Sequence, residues 1–283
     1  MSIGEWIVGL AMGAAIAAPS VPGQGAPPER IAYGSASSQF GMLWLPQQPG
    51  KAPVIVLIHG GCWLHAYGLD LMEPLAVDLR GLGFAVWNIE YRRLGETGGG
   101  YPGTFADVGA AVDALRGLAA RHPLDLGRVV AIGHSAGGHL ALWAAARPRL
   151  PAASPLKTPD PLPLAGVVTL AGIDDLAAYH AQGPACGGAG TIDALVDAAR
   201  HDRFADTSPA AMLPLGVPQL VVSGANDGIV PPAFGRAYAK AAAAAGDRVI
   251  ELTVPGTDHF PLIDPGSAAW RKVREQLPAL LSQ

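Results

Sequence analysis

The chain has 283 residues, half of them apolar and 15% charged, with a net charge of −4. That composition supplies one sizeable core, and acids and bases are mixed along the chain without a basic stripe or a basic–aromatic alternation, so nucleic acid is not an expected partner. The only two cysteines, Cys62 and Cys186, form neither a CxxC pair nor a Cys/His cluster with ligand spacing, so no structural metal is expected.

The N-terminal segment, 1–28, holds an apolar run from Ile7 to Ala18 and then a Pro/Gly-rich stretch, Pro19 to Pro28. This is the order of a signal-peptide h-region and cleavage zone, but the residues before the run carry Glu5 and no Lys or Arg, where a positive segment is expected. The run is also shorter than the ~20 apolar residues needed to span a bilayer. Two readings stay open: an export segment, or an N-terminal arm on a cytoplasmic protein.

From 29 to 283 the pattern is that of one domain. Arg30 to Leu45 reads as two short strands around Gly34–Ser38. Val54–Ile58 is a continuous apolar, β-branched run between Pro53 and Gly60, the signature of a strand buried on both faces. The same pattern recurs at Phe84–Ile89, Arg128–Ile132, Gly166–Leu170, Gln219–Val222 and Val249–Val254. Helices are expected between them: Leu69–Gly81, Phe105–Arg121 with Thr104 as N-cap, Ala136–Arg147, Pro231–Ala245 and Ala268–Leu281. Alternation of this kind implies an α/β fold with a mostly parallel central sheet and helices on both faces. One segment, about 173–215, breaks the alternation with Gly-rich sequence and a helix near Ile192–Arg200; it reads as a small lid insertion.

Gly133-His134-Ser135-Ala136-Gly137 is a G-x-S-x-G match placed between an expected strand and an expected helix, the setting that gives the motif meaning. The sharp strand-to-helix turn exposes a serine and aims free N–H groups at developing negative charge. A serine hydroxyl needs a base, and near neutral pH that base is histidine. Of eight histidines, His180, His201 and His259 follow Ser135. His259 stands in a turn just after strand Val249–Val254, whereas His180 and His201 fall in the insertion and read as surface residues. His59 and His134 read as structural neighbours of motifs. Asp227, directly after strand Gln219–Val222, is the expected acid; Asp174 and Asp175 are its rivals, and Asp258 is expected to stabilise its own turn.

His59-Gly60-Gly61-Cys62-Trp63 follows the strand Val54–Ile58. Its glycines let backbone N–H groups approach a ligand closely, so the N–H groups of Gly61 and Cys62, with that of Ala136, are the expected oxyanion donors. Trp63 and Tyr101 are expected to wall a substrate pocket; the alternative for Trp63 is packing beneath the turn. Cys62 and Cys186 read as two free thiols, with a single bridge near the mouth of the site as the alternative.

Together these blocks resemble the α/β-hydrolase superfamily from Arg30 onward. His59-Gly60-Gly61-Cys62-Trp63 looks like the HGGxW of arylformamidases and related small esterases, and departs from the HGGG of hormone-sensitive-lipase-like esterases at Cys62. Asn88–Arg92, followed by Tyr101-Pro102 and Asp107, is similar to the YR…P…D stretch of both groups, where Arg92 and Asp107 read as structural supports. Gly224-Ala225-Asn226-Asp227 with Val230-Pro231 matches the superfamily's G-x-x-D-x-x-V-P turn. The resemblance implies a serine carboxylesterase without metal or cofactor. The insertion, about 173–215, is too short and too polar in its middle for the broad apolar cap of a lipase, so a small-molecule ester with a short acyl chain, acetyl to butyryl, is the expected substrate. An arylformamidase or other small-amide hydrolase on the same triad is the alternative, and a non-catalytic binding relative is disfavoured because Ser135 and His259 both stand in full motifs. Fold alone selects no substrate, and the sequence leaves the oligomeric state open.

Overall fold

The computed structural model describes residues 26–281; the Ile7–Ala18 run and most of the Pro/Gly-rich stretch lie outside the described residues. Eight strands form one sheet: β1 (Glu29–Ala32), β2 (Phe40–Trp44), β3 (Ala52–Ile58), β4 (Ala85–Ile89), β5 (Leu124–His134), β6 (Gly166–Leu170), β7 (Gln219–Gly224) and β8 (Val249–Val254). Their order is β1-β2-β4-β3-β5-β6-β7-β8. From β4 and β3 through β8 the pairing is parallel, and β1 and β2 add an antiparallel edge. Every residue of β4, β6 and β7 is buried. Strands buried on both sides are what a parallel sheet covered by helices requires, and the chain has the α/β-hydrolase architecture expected from its sequence.

The covering helices are α1 (Glu73–Gly81), α2 (Gly103–Asp113), α3 (Leu115–Ala119), α4 (Ala136–Ala146), α5 (Leu176–Gln182), α6 (Gly188–Val196), α7 (Pro232–Ala244) and α8 (Ala268–Leu281). Helix α4 packs on β5 and β6 and is buried along its whole length, as an Ala- and Leu-rich helix without a polar face should be. It is therefore a rigid base for whatever stands at its N-terminus. No helix among the described residues is long and apolar enough to cross a membrane.

Three local expectations differ from the structure. The single helix expected over Phe105–Arg121 is two helices that meet at Ala114, and it begins at Gly103. Thr104 is not its cap: the hydroxyl lies inside the first turn, donating to the Arg92 carbonyl and accepting from Gly100 N at 2.9 Å. Strand β8 is not buried on both faces. It is the sheet edge, with Glu251 exposed and Ile250 41% exposed; Glu251 and Thr253 interrupt its apolar residues, as a strand that is partly solvated allows. In the insertion, α6 stops at Val196 because Asp197 turns left-handed (φ 59°), and a second helix, α5, precedes it, capped by Asp175 through Ala177 N and Ala178 N.

Candidate active site

The C-terminal edge of the parallel strands carries the expected chemistry, as open α/β sheets generally do. Ser135 joins β5 directly to α4 with φ 55° and ψ −123°. Such a backbone costs an L-residue about 1–3 kcal/mol and persists only where its surroundings impose it. Here Ser135 N donates to Leu170 O at 2.8 Å, Ser135 O accepts from Gly138 N at 2.9 Å, and the buried α4 continues the chain. Gly137 must be glycine, because a Cβ there would strike the carbonyls of Ile58 and His59. The nucleophile turn is thus pressed against the end of β3.

His259, in the loop after β8, binds Asp227 Oδ2 through Nδ1 at 2.7 Å. Asp227 follows β7, and its other oxygen accepts the N–H groups of Ile229 (2.8 Å) and Val230 (2.9 Å). Burial pushes the Asp227 carboxyl up, but the His259 hydrogen bond and charge and the two amide donors outweigh it, so its pKa lies below the ordinary carboxylate value. Asp227 is therefore ionised and holds the His259 ring with Nδ1 as donor, which leaves Nε2 to accept a proton. The His259 ring lies 4.4 Å, centroid to centroid, from His134, the residue before Ser135. His134 Nε2–H donates to the His259 carbonyl at 3.2 Å. Burial, with some help from neighbouring His259, drives the His134 pKa down to about 3, so the ring that steadies this loop is neutral.

The turn after β3 is more strained than its glycines predict. Gly61, Cys62 and Trp63 have φ of 97°, 54° and 58°, three left-handed residues in succession. A Cβ on Gly61 would collide with the Tyr67 side chain. Among the described residues the N–H groups of Gly61 and Cys62 have no hydrogen-bond partner, and Ala136, the first residue of α4, has no helical carbonyl one turn before it. His59 anchors the turn's start: Nε2 meets Glu90 Oε1 at 2.7 Å and the ring stacks on Tyr91 at 4.4 Å. Arg92 and Asp107 join nearby by paired bonds of 2.8 and 2.7 Å.

Trp63 does not wall a pocket. It is fully buried beneath the turn, donating from its indole N–H to His139 Nδ1 at 3.2 Å, and His139 in turn meets Thr207 O at 2.8 Å. The left-handed backbone at Cys62 and Trp63 swings the side chain inward, which a sequence pattern does not disclose. Tyr101 is engaged as well: its hydroxyl donates to Asp206 Oδ2 at 3.1 Å and the Arg200 guanidinium lies 3.5 Å over its ring. The exposed aromatic residues beside the site are instead Tyr67 (45% exposed), packed on Gly61, and Phe260 (56% exposed), 5.3 Å from the His259 ring. Adjacency to His259 was the available signal for Phe260; Tyr67 had none. The two cysteines are not free thiols: Cys62 is disulfide-bonded to Cys186.

The rival acids stand elsewhere. Asp175 is the cap of α5, and Asp258 is exposed while the turn's bond is made by Thr257 Oγ1 to Pro255 O at 3.3 Å. Asp174 is buried, accepts from Thr169 Oγ1 at 2.7 Å, and leaves Oδ2 without a partner. Burial drives its carboxyl up to about 7, with Asp175 adding to the rise and the Thr169 bond opposing it. A carboxyl raised in the folded state adds stability below its unfolded pKa and loses it as pH rises through the folded value. Between about pH 4 and 7 Asp174 should thus lower the stability of the native protein, and Asp174→Asn should remove that slope. Unfolding free energies of both proteins from urea titrations across this range should converge at the acid end, and at the neutral end the variant should be the more stable by more than about 1 kcal/mol. Parallel curves would mean that Asp174 stays ionised throughout.

The BD-FAE family model matches residues 43–241, a span that includes Ser135 and Asp227 and ends before His259. Among solved structures, a truncated carbohydrate esterase from gut microbiota is 21% identical, with a TM-score of 0.75 over 90% of this chain and 95% of that one. Esterase B from Lactobacillus Rhamnosis (HN001) is 21% identical, with a TM-score of 0.76 over 89% of this chain and 84% of that one. The butyrate-bound thermophilic esterase Est2 from the Planctomycetes species Thermogutta terrifontis is 21% identical, with a TM-score of 0.73 over 90% and 93%. At these identities the likeness establishes the fold. A search of curated proteins returned no match.

Proposed function

The chain belongs to the BD-FAE family, and on that footing we propose that it hydrolyses small carboxylic esters through an acyl-enzyme on Ser135. The observation that carries this reading is the 2.7 Å bond from His259 Nδ1 to a buried, ionised Asp227, with the His259 ring 4.4 Å from His134, the residue before a serine held in a strained strand-to-helix turn. Ser135 Oγ attacks the ester carbonyl while His259 Nε2 takes its proton. The carbonyl oxygen becomes an oxyanion held by the N–H groups of Gly61, Cys62 and Ala136, each such donor being worth about 3–4 kcal/mol in the transition state. His259 then protonates the leaving alcohol, and water, deprotonated by the same ring, releases the acid. The esterase names of the structural relatives agree with this chemistry.

Purified protein with p-nitrophenyl esters tests the reading. Rates should be highest for acetyl to butyryl groups. Phe260→Ala should raise KM for aryl esters about 2–10-fold, the size of one stacking contact, with a smaller effect on alkyl esters and on kcat. Rates that climb to long acyl chains at an oil–water interface would contradict the small-ester reading, and a preference for an aryl formamide over every ester would assign amide chemistry to the same residues.

A further inference from the structure

The insertion is tied to three of the segments on which the proposed chemistry depends: the Asp227 loop, helix α4 and the oxyanion turn. Tyr179 of α5 donates its hydroxyl to Ile229 O at 2.7 Å, in the loop of Asp227. The Asp206 and Thr207 carbonyls accept from Trp143 (2.9 Å) and His139 (2.8 Å) of α4, the helix that Ser135 begins. Cys186, just before α6, is bonded to Cys62 across a sequence separation of 124. The first tie is a part-buried hydrogen bond, the second a pair of buried ones, and the third is covalent and ends inside the proposed oxyanion turn.

Three left-handed residues in succession need something to impose them. Gly61 has no Cβ and adopts its conformation freely. Trp63 is held by burial and by the indole bond to His139. Cys62, which carries one of the proposed oxyanion N–H groups, has a single side-chain tie among the described residues, the bond to Cys186. Cys186 is itself left-handed, with φ 56°, so the two ends of the bridge constrain each other.

We propose that the Cys62–Cys186 disulfide is a positioning element of the oxyanion hole, so that hydrolysis depends on the oxidised state of this bond. The proposal rests on the esterase reading. A small dithiol supplies two electrons and two protons: the S–S bond breaks, Cys62 and Cys186 become thiols, and the dithiol closes to its own disulfide. Cys62 is then free to leave the left-handed region, which turns its N–H away from the position it shares with those of Gly61 and Ala136. Ser135, His259 and Asp227 are untouched, so substrate still binds and the charged transition state is what loses support.

The experiment uses the full chain and dithiothreitol, with activity and far-UV circular dichroism followed together, beside the variant Cys186→Ser. The untreated protein unfolded in urea should show no free thiol, and two after reduction. Reduction, and Cys186→Ser, should each lower kcat about 100-fold, the effect of one lost oxyanion donor, with KM changed less than about threefold. Inhibition by a trifluoromethyl ketone, which forms the same oxyanion on Ser135, should weaken by the factor lost from kcat/KM, and reoxidation with diamide should restore both. Retained kcat with a lowered urea midpoint would overturn the proposal and leave the bond a structural staple. So would two free thiols in the untreated protein, or activity that falls only as the dichroism collapses. If Cys186→Ser fails to fold, the reduction and reoxidation of the wild-type chain decide. Absence of ester turnover and of ketone binding in the untreated protein would overturn the esterase reading itself, an outcome distinct from activity that survives reduction.

Discussion

Replacing Ser135 with alanine is expected to lower kcat for p-nitrophenyl acetate by about a million-fold, the loss seen when a nucleophile of this kind is removed from a worked serine protease. The size follows from the chemistry: without Oγ no acyl-enzyme forms, and only the oxyanion donors and substrate binding remain. The fold should be indifferent to the change. The Ser135 backbone is held by its own N–H and carbonyl bonds to Leu170 and Gly138, and alanine has the same steric conflict at φ 55° as serine. The unfolding free energy from urea titration should therefore stay within about 0.5 kcal/mol of wild type. A variant that kept a tenth of the activity would assign the attack to another group, and one that lost activity together with its fold would report on the turn and not on the nucleophile.

How much of this site was legible in the sequence depends on what kind of information each residue carries. Ser135 and Asp227 each follow a strand whose apolar run is easy to see, His259 follows one rich in β-branched residues, and a parallel sheet puts the ends of such strands side by side. The expected pairing of Asp227 with His259 is accordingly present as a hydrogen bond. Side-chain direction is another matter. Trp63 follows the oxyanion turn in sequence, but two left-handed residues reverse the chain there and bury the ring against His139. Tyr101 is committed to Arg200 and Asp206, contacts set by the path of an insertion without a periodic pattern. The Cys62–Cys186 bond, the alternative to two free thiols, joins a patterned turn to an unpatterned segment, and no spacing rule spans that distance. The exposed edge of β8 depends on which strand lacks a neighbour, a property of the whole sheet that no single segment records.

Asp227→Asn is the second large effect. The amide keeps the size of the carboxylate but removes the charge that stabilises the imidazolium, and it offers His259 Nδ1 a donor as readily as an acceptor. With the ring free to take the other tautomer, Nε2 carries a proton and no longer accepts one from Ser135; the comparable change in a worked serine protease costs about 10⁴ in kcat. The local structure adds a reason to expect the full loss. Asp227 Oδ1 is occupied by the N–H groups of Ile229 and Val230, and those two donors oblige the Asn carbonyl to take the Oδ1 place. The amide NH₂ is then turned toward Nδ1. The variant should bind substrate with little change in KM, because nothing that touches the substrate has moved. Asp174→Asn provides the contrast. That residue is buried and sits close in sequence to the nucleophile's neighbours, yet it bonds Thr169 and not His259, so it should alter the pH dependence of stability and leave kcat within about threefold, the range of a change remote from the transition state. Equal losses from the two variants would mean that His259 is oriented by both carboxylates in solution, and the assignment of Asp227 as sole acid would fail.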